Sequence, residues 1–142
     1  MHLVDRERIL AKIDELDGYL RELNAIEPES FEEYQKIEKR RSCERILQLS
    51  IECLIDICAI IVVGLRLGLP AEEDDIFDKL EQAGIISSSR KEILKKMRAF
   101  RNLPVHEYGR IDDRLVYEMV KNKLSDFQAF KQEILEGISR RS

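Results

Sequence analysis

Helical periodicity constrains this chain more than any other feature of its sequence. Apolar residues recur at intervals of three and four along almost the whole length, and no segment alternates apolar and polar residues as a strand does. The first predicted helix covers about residues 4–23, where one apolar stripe comprises Ile9, Leu10, Ile13, Leu16, Leu20 and Leu23. A chain with this pattern is expected to fold as packed helices.

The second and third predicted helices are marked by capping and turn residues. Ser30 and Glu33 form a capping-box pattern that opens the second helix, which is expected to run over about residues 31–67. This helix is the most apolar and is expected to form the centre of the core. A short third helix is expected around Phe77, with Gly84 just past its end.

The last two predicted helices complete the fold. The fourth is expected from a second capping box, opened by Ser89, to about residue 103, because Pro104 disrupts it. Asp112 is the predicted N-cap of the fifth, whose long apolar face comprises Leu115, Val116, Met119, Val120, Leu124, Phe127, Phe130, Ile134 and Ile138. The pattern predicts an all-α, up-and-down bundle of about five helices in a single domain, residues 1–142.

Composition excludes several classes of protein. Three cysteines without CxxC spacing argue against a disulfide framework or a zinc site, so no metal and no cofactor are expected. The start of the chain reads as amphipathic helix rather than as a secretory leader. The most apolar run, residues 53–65, contains Asp56 and is too short to span a bilayer. We therefore expect a soluble, cytoplasmic protein without a membrane partner.

Charge is distributed unevenly along the chain. The net charge of −4 gives no overall basic field that would attract nucleic acid. Residues 71–81 nevertheless carry six acids against one base, and residues 90–101 carry six bases against one acid. Most of these charges are expected to lie on solvated helix faces. The basic segment leads into the turn described below, and a local RNA-binding surface there remains possible.

A line of polar residues runs along one face of the second predicted helix and comprises Arg41, Arg45, Gln48, Glu52 and Asp56. The simpler interpretation is a stripe that faces solvent, because acids are rarely buried without a partner. The alternative is that Glu52 anchors a basic residue of a functional site, with Arg101 as the candidate.

The joint between the fourth and fifth predicted helices contains the residues most suited to chemistry. Arg101, Asn102, His106 and Tyr108 lie within eight residues around Pro104. An arginine can neutralise phosphate charge, and a histidine can transfer protons near neutral pH. RNA supplies its own nucleophile, the 2′-hydroxyl, so a base and a cation suffice for cleavage without metal. His106 fits the first role and Arg101 the second.

A structural interpretation of the same joint stays open. Arginine and histidine at a helix end often satisfy free carbonyl groups and interact favourably with the helix dipole. The chain would then be a helical dimer in which the joint is only a cap. The sequence contains no phosphate-binding glycine loop, HExxH motif or nucleophile elbow that would point to another reaction.

The sequence resembles the HEPN superfamily, and within it the HepT-like toxins. The resemblance rests on residues 45–56, on residues 84–87 and on residues 97–108, in that order along the chain. The last of these segments contains the signature R-x4-H-x-Y as Arg101, His106 and Tyr108. The resemblance implies a metal-independent endoribonuclease that forms a homodimer, with the motifs of both protomers lining one cleft.

The same resemblance implies roles for individual residues and a protein partner. Arg101 and His106 become the catalytic pair, with Asn102, Tyr108 and Glu52 in support. Toxins of this type are typically neutralised by an MNT-type nucleotidyltransferase antitoxin, which in some members transfers AMP from ATP to the motif tyrosine. AMPylation of Tyr108 would add charge and bulk and block RNA.

Two questions stay open at this point. Pro104 departs from the family pattern, and because proline removes a backbone donor and restricts its neighbour, it could preset the turn or displace His106. The chain could also be a non-catalytic binding module that docks a minimal nucleotidyltransferase and presents Tyr108.

Overall fold

The structure, a computed structural model, describes residues 2–141 except for the side chains of Leu3 and Val4. It contains seven helices and no strand within that range, which confirms the all-α prediction. The helices are α1 (Leu3–Ile26), α2 (Phe31–Tyr34), α3 (Ile37–Gly64), α4 (Glu73–Gln82), α5 (Ser88–Phe100), α6 (Asp113–Asn122) and α7 (Ser125–Arg141).

The core is built around α3, which packs most extensively against α1 and also contacts α2, α4, α5 and α6. The apolar stripe predicted for α1 faces this core, except for Leu10, which is exposed. α3 is the one described helix that is long and apolar enough to cross a membrane, and 56% of its most apolar window is buried inside the bundle. Burial of this kind is typical of the core helix of a soluble protein.

The second predicted helix is in fact two helices. Ser30 does cap α2, through a bond from the backbone N–H of Glu33 at 3.1 Å, but the Glu33 carboxylate accepts from Glu29 rather than from Ser30. Lys36 then adopts an extended conformation, and α3 begins at the next residue. The break allows Tyr34 to be completely buried between Phe31 and Tyr117, at ring-centroid distances of 6.3 and 5.5 Å. Tertiary packing thus overrides a continuous helical pattern.

The fifth predicted helix is also divided. Asp112 is its N-cap, as expected, with the Leu115 N–H at 3.2 Å from the carboxylate, but α6 ends at Asn122. Lys123 leaves helical geometry, and α7 continues from Ser125. In α7, Gly137 lies against the backbone of Ile85, where an added Cβ would be 2.6 Å from the carbonyl oxygen. α7 thus packs closely against the segment that follows α4.

The boundaries of α4 and α5 follow local signals, with one correction. Gly84 ends α4 at φ +74°, as expected, and the N–H of Ile85 bonds the carbonyl of Leu80. The cap of α5 is Ser87 rather than Ser89, because the Arg90 N–H is 3.1 Å from the Ser87 hydroxyl.

Candidate active site

The joint after α5 is folded as a small hairpin-like loop. Its ends are joined by an isolated antiparallel bridge between Val105 and Ile111, and the N–H of His106 donates to the carbonyl of Arg110 at 2.8 Å. Gly109 turns the chain at φ +85°. The carbonyl of Pro104 accepts from Asp112 at 2.7 Å, so the residue contributes its acceptor here and needs no N–H. The proline therefore belongs to the turn that presents His106.

Arg101 is the C-cap residue of α5 and is fixed at both ends. Its backbone carbonyl accepts from the side-chain amide of Gln48 at 3.0 Å. Its guanidinium donates from Nη1 and Nη2 to the two carboxylate oxygens of Glu73, at 2.8 and 2.5 Å. This hydrogen-bonded pair raises the pKa of Arg101 and lowers the pKa of Glu73. The side chain of Arg101 is 26% exposed, so it lies partly covered.

Glu52 does not anchor Arg101 through a hydrogen bond among the described residues, in contrast to the hypothesis from the sequence. Its negative charge still raises the pKa of Arg101, as a smaller contribution after that of Glu73. Sequence analysis missed Glu73, which lies 28 residues from Arg101. The signal was present, since an acidic segment and a basic segment of similar length follow one another along the chain.

The two segments pair with each other across α4 and α5. Arg98 bonds Asp74 at 2.6 Å and Lys95 bonds Asp78 at 2.8 Å. Lys91 lies 3.4 Å from Glu81 at the far end. Most charges of the two segments were expected to lie on solvated helix faces, but these three basic side chains are only 18–26% exposed and each is paired with an acid. The face of α5 therefore offers less free positive charge to RNA than its composition indicates.

The other line of polar residues, along α3, is mixed rather than uniformly solvent-facing. Arg41 pairs with Glu44 at 3.1 Å, and Glu44 is buried. Asp56 lies 3.3 Å from Lys12 on α1 and is more than half exposed. Gln48 is the member that bonds Arg101, through the backbone carbonyl.

His106 has a carboxylate and an aromatic ring as neighbours. Its Nδ1 lies 3.8 Å from a carboxylate oxygen of Asp112, and 41% of its side chain is exposed. The ring of Tyr108 stacks on the imidazole with centroids 5.1 Å apart and planes inclined by 16°. Tyr108 is 72% exposed. The separation from Asp112 is longer than a hydrogen bond, so Asp112 acts on His106 as a neighbouring negative charge.

Asn102 lies at the end of α5, next to Arg101. It is exposed, and its backbone N–H bonds the carbonyl of Ala99 at 3.3 Å at the end of α5. Its side chain makes no hydrogen bond to a described residue, so it does not orient His106 in this structure.

A groove of about 640 Å³ opens beside His106 and Tyr108. Four arginines contribute to its walls, together with the buried Glu44: Arg40, Arg41, Arg110 and Arg114. Arg40 and Arg41 are each paired with an acid, and Arg114 lies 3.9 Å above the ring of Phe31. Arg101 does not line this groove. In a single copy of the chain, His106 therefore lines the groove, whereas Arg101, the arginine of the motif, lies outside it.

Other catalytic chemistries find no support in the described part of the chain. No cluster of three or more histidine, cysteine or acidic residues suited to a metal ion occurs among residues 2–141. The three cysteines are free and buried. Burial raises the pKa of Cys43 and of Cys53 to about 11, so both thiols stay protonated and weakly nucleophilic near neutral pH.

Comparison with known proteins places the chain among ribonuclease-like helical proteins. The family profile described as Ribonuclease HepT-like matches residues 9–134. The mRNA nuclease HepT of Shewanella oneidensis is 36% identical over 84 residues, which span 59% of this chain and 63% of the relative. A putative RNase of Archaeoglobus fulgidus is 37% identical over 95 residues, or 65% of this chain and 71% of the relative.

A solved structure shows the same fold over nearly the whole chain. It contains the tri-AMPylated Shewanella oneidensis HEPN toxin in complex with an MNT antitoxin. The similarity has a TM-score of 0.82 at 27% identity, with 96% of this chain and 99% of the other covered.

Proposed function

Because the chain belongs to the HepT-like ribonuclease family, we propose that it is a metal-independent endoribonuclease toxin that cleaves RNA by attack of the 2′-hydroxyl. Nε2 of His106 takes the proton of that hydroxyl, and the 2′-oxygen forms a bond to the adjacent phosphorus. Arg101 neutralises the charge that develops on the phosphate oxygens. The bond from phosphorus to the 5′-oxygen breaks, and this oxygen receives a proton from water. The products are a 2′,3′-cyclic phosphate and a 5′-hydroxyl.

The observation that carries the proposal is the arrangement of carboxylates around the motif. Arg101 is held by both oxygens of Glu73, and His106 faces Asp112 through Nδ1. A cap that merely satisfied helix carbonyls would point these side chains at the end of α5. Instead, Arg101 is hydrogen-bonded to Glu73 and His106 lies 3.8 Å from Asp112, and restricting both side chains in this way before RNA binds would favour the reaction.

We further propose that the active cleft forms between two copies of the chain. Within one copy the groove beside His106 lacks Arg101. A homodimer that faces the two motifs toward each other would bring the arginine of one protomer near the histidine of its partner. A two-fold axis brings the same surface of both protomers together in a closed dimer, whereas a head-to-tail contact joins two different surfaces.

The proposed regulator is an MNT-type nucleotidyltransferase antitoxin that AMPylates Tyr108. The phenol oxygen would attack the α-phosphorus of ATP, with release of pyrophosphate and of the phenol proton. Tyr108 is exposed and stacks on His106, so the attached adenylate would lie directly at the proposed base. Its negative charge would repel the RNA phosphate. The solved complex of a HEPN toxin with its MNT antitoxin supports this partner.

A cleavage assay tests the proposed reaction. Purified protein is incubated with total RNA in EDTA, and the products are examined for 2′,3′-cyclic phosphate ends. We expect cleavage by the wild-type protein and by Arg21→Ala, an exposed arginine on α1 that serves as a matched control. Arg101→Ala and His106→Ala should lose activity by a factor of about 100 or more. Equal cleavage by all four proteins would exclude the proposed mechanism.

The second candidate is a non-catalytic module that docks the nucleotidyltransferase and presents Tyr108. The exposure of Tyr108 is the observation that favours it. Co-expression with the antitoxin followed by mass spectrometry should show AMP on Tyr108 under both proposals. RNA cleavage by the isolated chain then separates them, because only the toxin turns over RNA.

The proposed location is the cytoplasm, where RNA and ATP are present. The apolar α3 is covered by neighbouring helices, and the cysteines are unpaired, as in reducing compartments.

A further inference from the structure

The pairing of Arg101 with Glu73 is one of four ion pairs of 3.4 Å or less between α4 and the basic side chains of α5 and its C-cap, and it differs from the other three. The other contacts are between Arg98 and Asp74, Lys95 and Asp78, and Lys91 and Glu81. They already hold the two helices side by side. Only the Arg101–Glu73 contact is bidentate, and only this contact involves a residue of the catalytic motif.

Glu73 is held on a rigid support. It is the first residue of α4, directly after a capping box in which Asp75 accepts from the backbone N–H of Glu72 at 3.0 Å. The same carboxylate accepts from Ala71 at 2.9 Å. Phe77 and the other buried residues of α4 fix the helix against the core. The position of the Glu73 backbone is therefore set without any contribution from its own side chain.

The geometry of the pair leaves part of the guanidinium free. A guanidinium has five N–H groups, and the two bonds to Glu73 use one on Nη1 and one on Nη2. Nε of Arg101 makes no hydrogen bond to any described residue. The edge formed by Nε and Nη2 can therefore bind two oxygens of a phosphate while the pair with Glu73 stays intact.

We infer that Glu73 is a positioning residue for the proposed ribonuclease reaction, which holds Arg101 so that its free edge meets the scissile phosphate. This inference rests on the proposed function. Fixing the guanidinium before substrate arrives favours the transition state, since the geometry need not be established during the reaction. The negative charge of Glu73 at the same time weakens attraction of RNA in the ground state. Glu73 thus favours kcat at the expense of RNA affinity.

The test compares Glu73→Gln with the matched control Asp74→Asn, which removes the neighbouring acid and its pair with Arg98. Steady-state cleavage of a short RNA gives kcat and KM for both. For Glu73→Gln we expect kcat to fall about 10- to 100-fold, the effect of slight misplacement of a reacting group. KM should be unchanged or lower. Both constants of Asp74→Asn should stay within about twofold of wild type, in keeping with the small effect of exposed ion pairs.

Two results would overturn the inference. An unchanged or higher kcat in Glu73→Gln would mean that the carboxylate only masks Arg101. Equal losses of kcat and of melting temperature in Glu73→Gln and Asp74→Asn would mean that all four contacts act as structural bonds alone.

A second measurement is independent of nuclease activity. The side-chain N–H signals of Arg101 in nuclear magnetic resonance spectra report rotation of the guanidinium, and Arg101→Lys assigns them. We expect slow rotation in the wild type and in Asp74→Asn, and fast rotation in Glu73→Gln. Fast rotation in the wild type would overturn the inference even if RNA is cleaved. A wild-type protein that does not cleave RNA would refute the proposed function, while these signals still decide whether Glu73 restrains Arg101.

Discussion

Asp112 is expected to serve two separable purposes, and two substitutions distinguish them. One carboxylate oxygen caps α6 by accepting from Leu115 at 3.2 Å, and the other lies 3.8 Å from Nδ1 of His106. Asn caps a helix as well as Asp does, whereas Ala does not. Asp112→Asn should therefore keep the cap and lose the charge beside His106, and Asp112→Ala should lose both.

The expected loss of stability follows from the cap. Removing an N-cap side chain costs about 1 kcal/mol. The unfolding entropy is about 2 cal/mol/K per residue, which over 142 residues converts this loss into a fall of about 3 °C in Tm. Calorimetry should show this fall for Asp112→Ala and a Tm within about 1 °C of wild type for Asp112→Asn.

The expected loss of activity follows from the orientation of the imidazole. Without the carboxylate, His106 loses the negatively charged group that lies 3.8 Å from its Nδ1 and helps to position the imidazole. We expect both variants to cleave RNA about 10- to 100-fold more slowly, as for other residues that orient a reactive histidine. Asp112→Asn is the decisive variant, because its fold should be intact. Wild-type cleavage by Asp112→Asn would refute the reasoning and leave Asp112 with the cap alone.

Three further predictions concern stability. Gly137→Ala should cost about 1–3 kcal/mol, since its Cβ would lie 2.6 Å from the carbonyl oxygen of Ile85, and a denaturant titration that shows no loss would contradict this contact. Tyr34→Phe should be neutral or stabilising, because the buried hydroxyl has no partner among the described residues, and a marked fall in Tm would argue against that environment. The pKa of Glu73 is lowered from 4.5, so its pairing stabilises the fold above about pH 4.5 and this contribution is lost as the pH falls through the lowered pKa. The Tm difference between wild type and Glu73→Gln should accordingly shrink on acidification.

Local chemistry could be predicted from the sequence with good accuracy. The N-cap at Asp112 and the left-handed turn at Gly84 are where the residue types place them. The breaks at Lys36 and Lys123 could not be predicted, because neither position contains glycine or proline and the apolar spacing continues across both. Packing of Tyr34 and of Gly137 against distant elements accounts for where the helices on either side lie.

The candidate site, like the fold, was predicted only in part from the sequence. The motif itself could be read from Arg101, His106 and Tyr108, and the stacking of His106 on Tyr108 follows from their closeness in sequence. The alternative in which Glu52 bonds Arg101 is not the arrangement observed, because the guanidinium bonds Glu73. Since Glu52 and Glu73 are both acids far from the motif along the chain, residue type alone could not choose between them.

The sequence by itself determined that this chain is helical, where α2 and α6 begin, and that one joint carries the guanidinium, the imidazole and the phenol. Only the tertiary structure decided that α4 lies along α5, that Glu73 meets Arg101, and that His106 opens on a groove which Arg101 does not line. The physical reason is the distance along the chain over which each interaction acts. Helix periodicity and caps depend on neighbours within four residues, whereas the partner of a charged side chain depends on which distant helices pack together to bury their apolar faces.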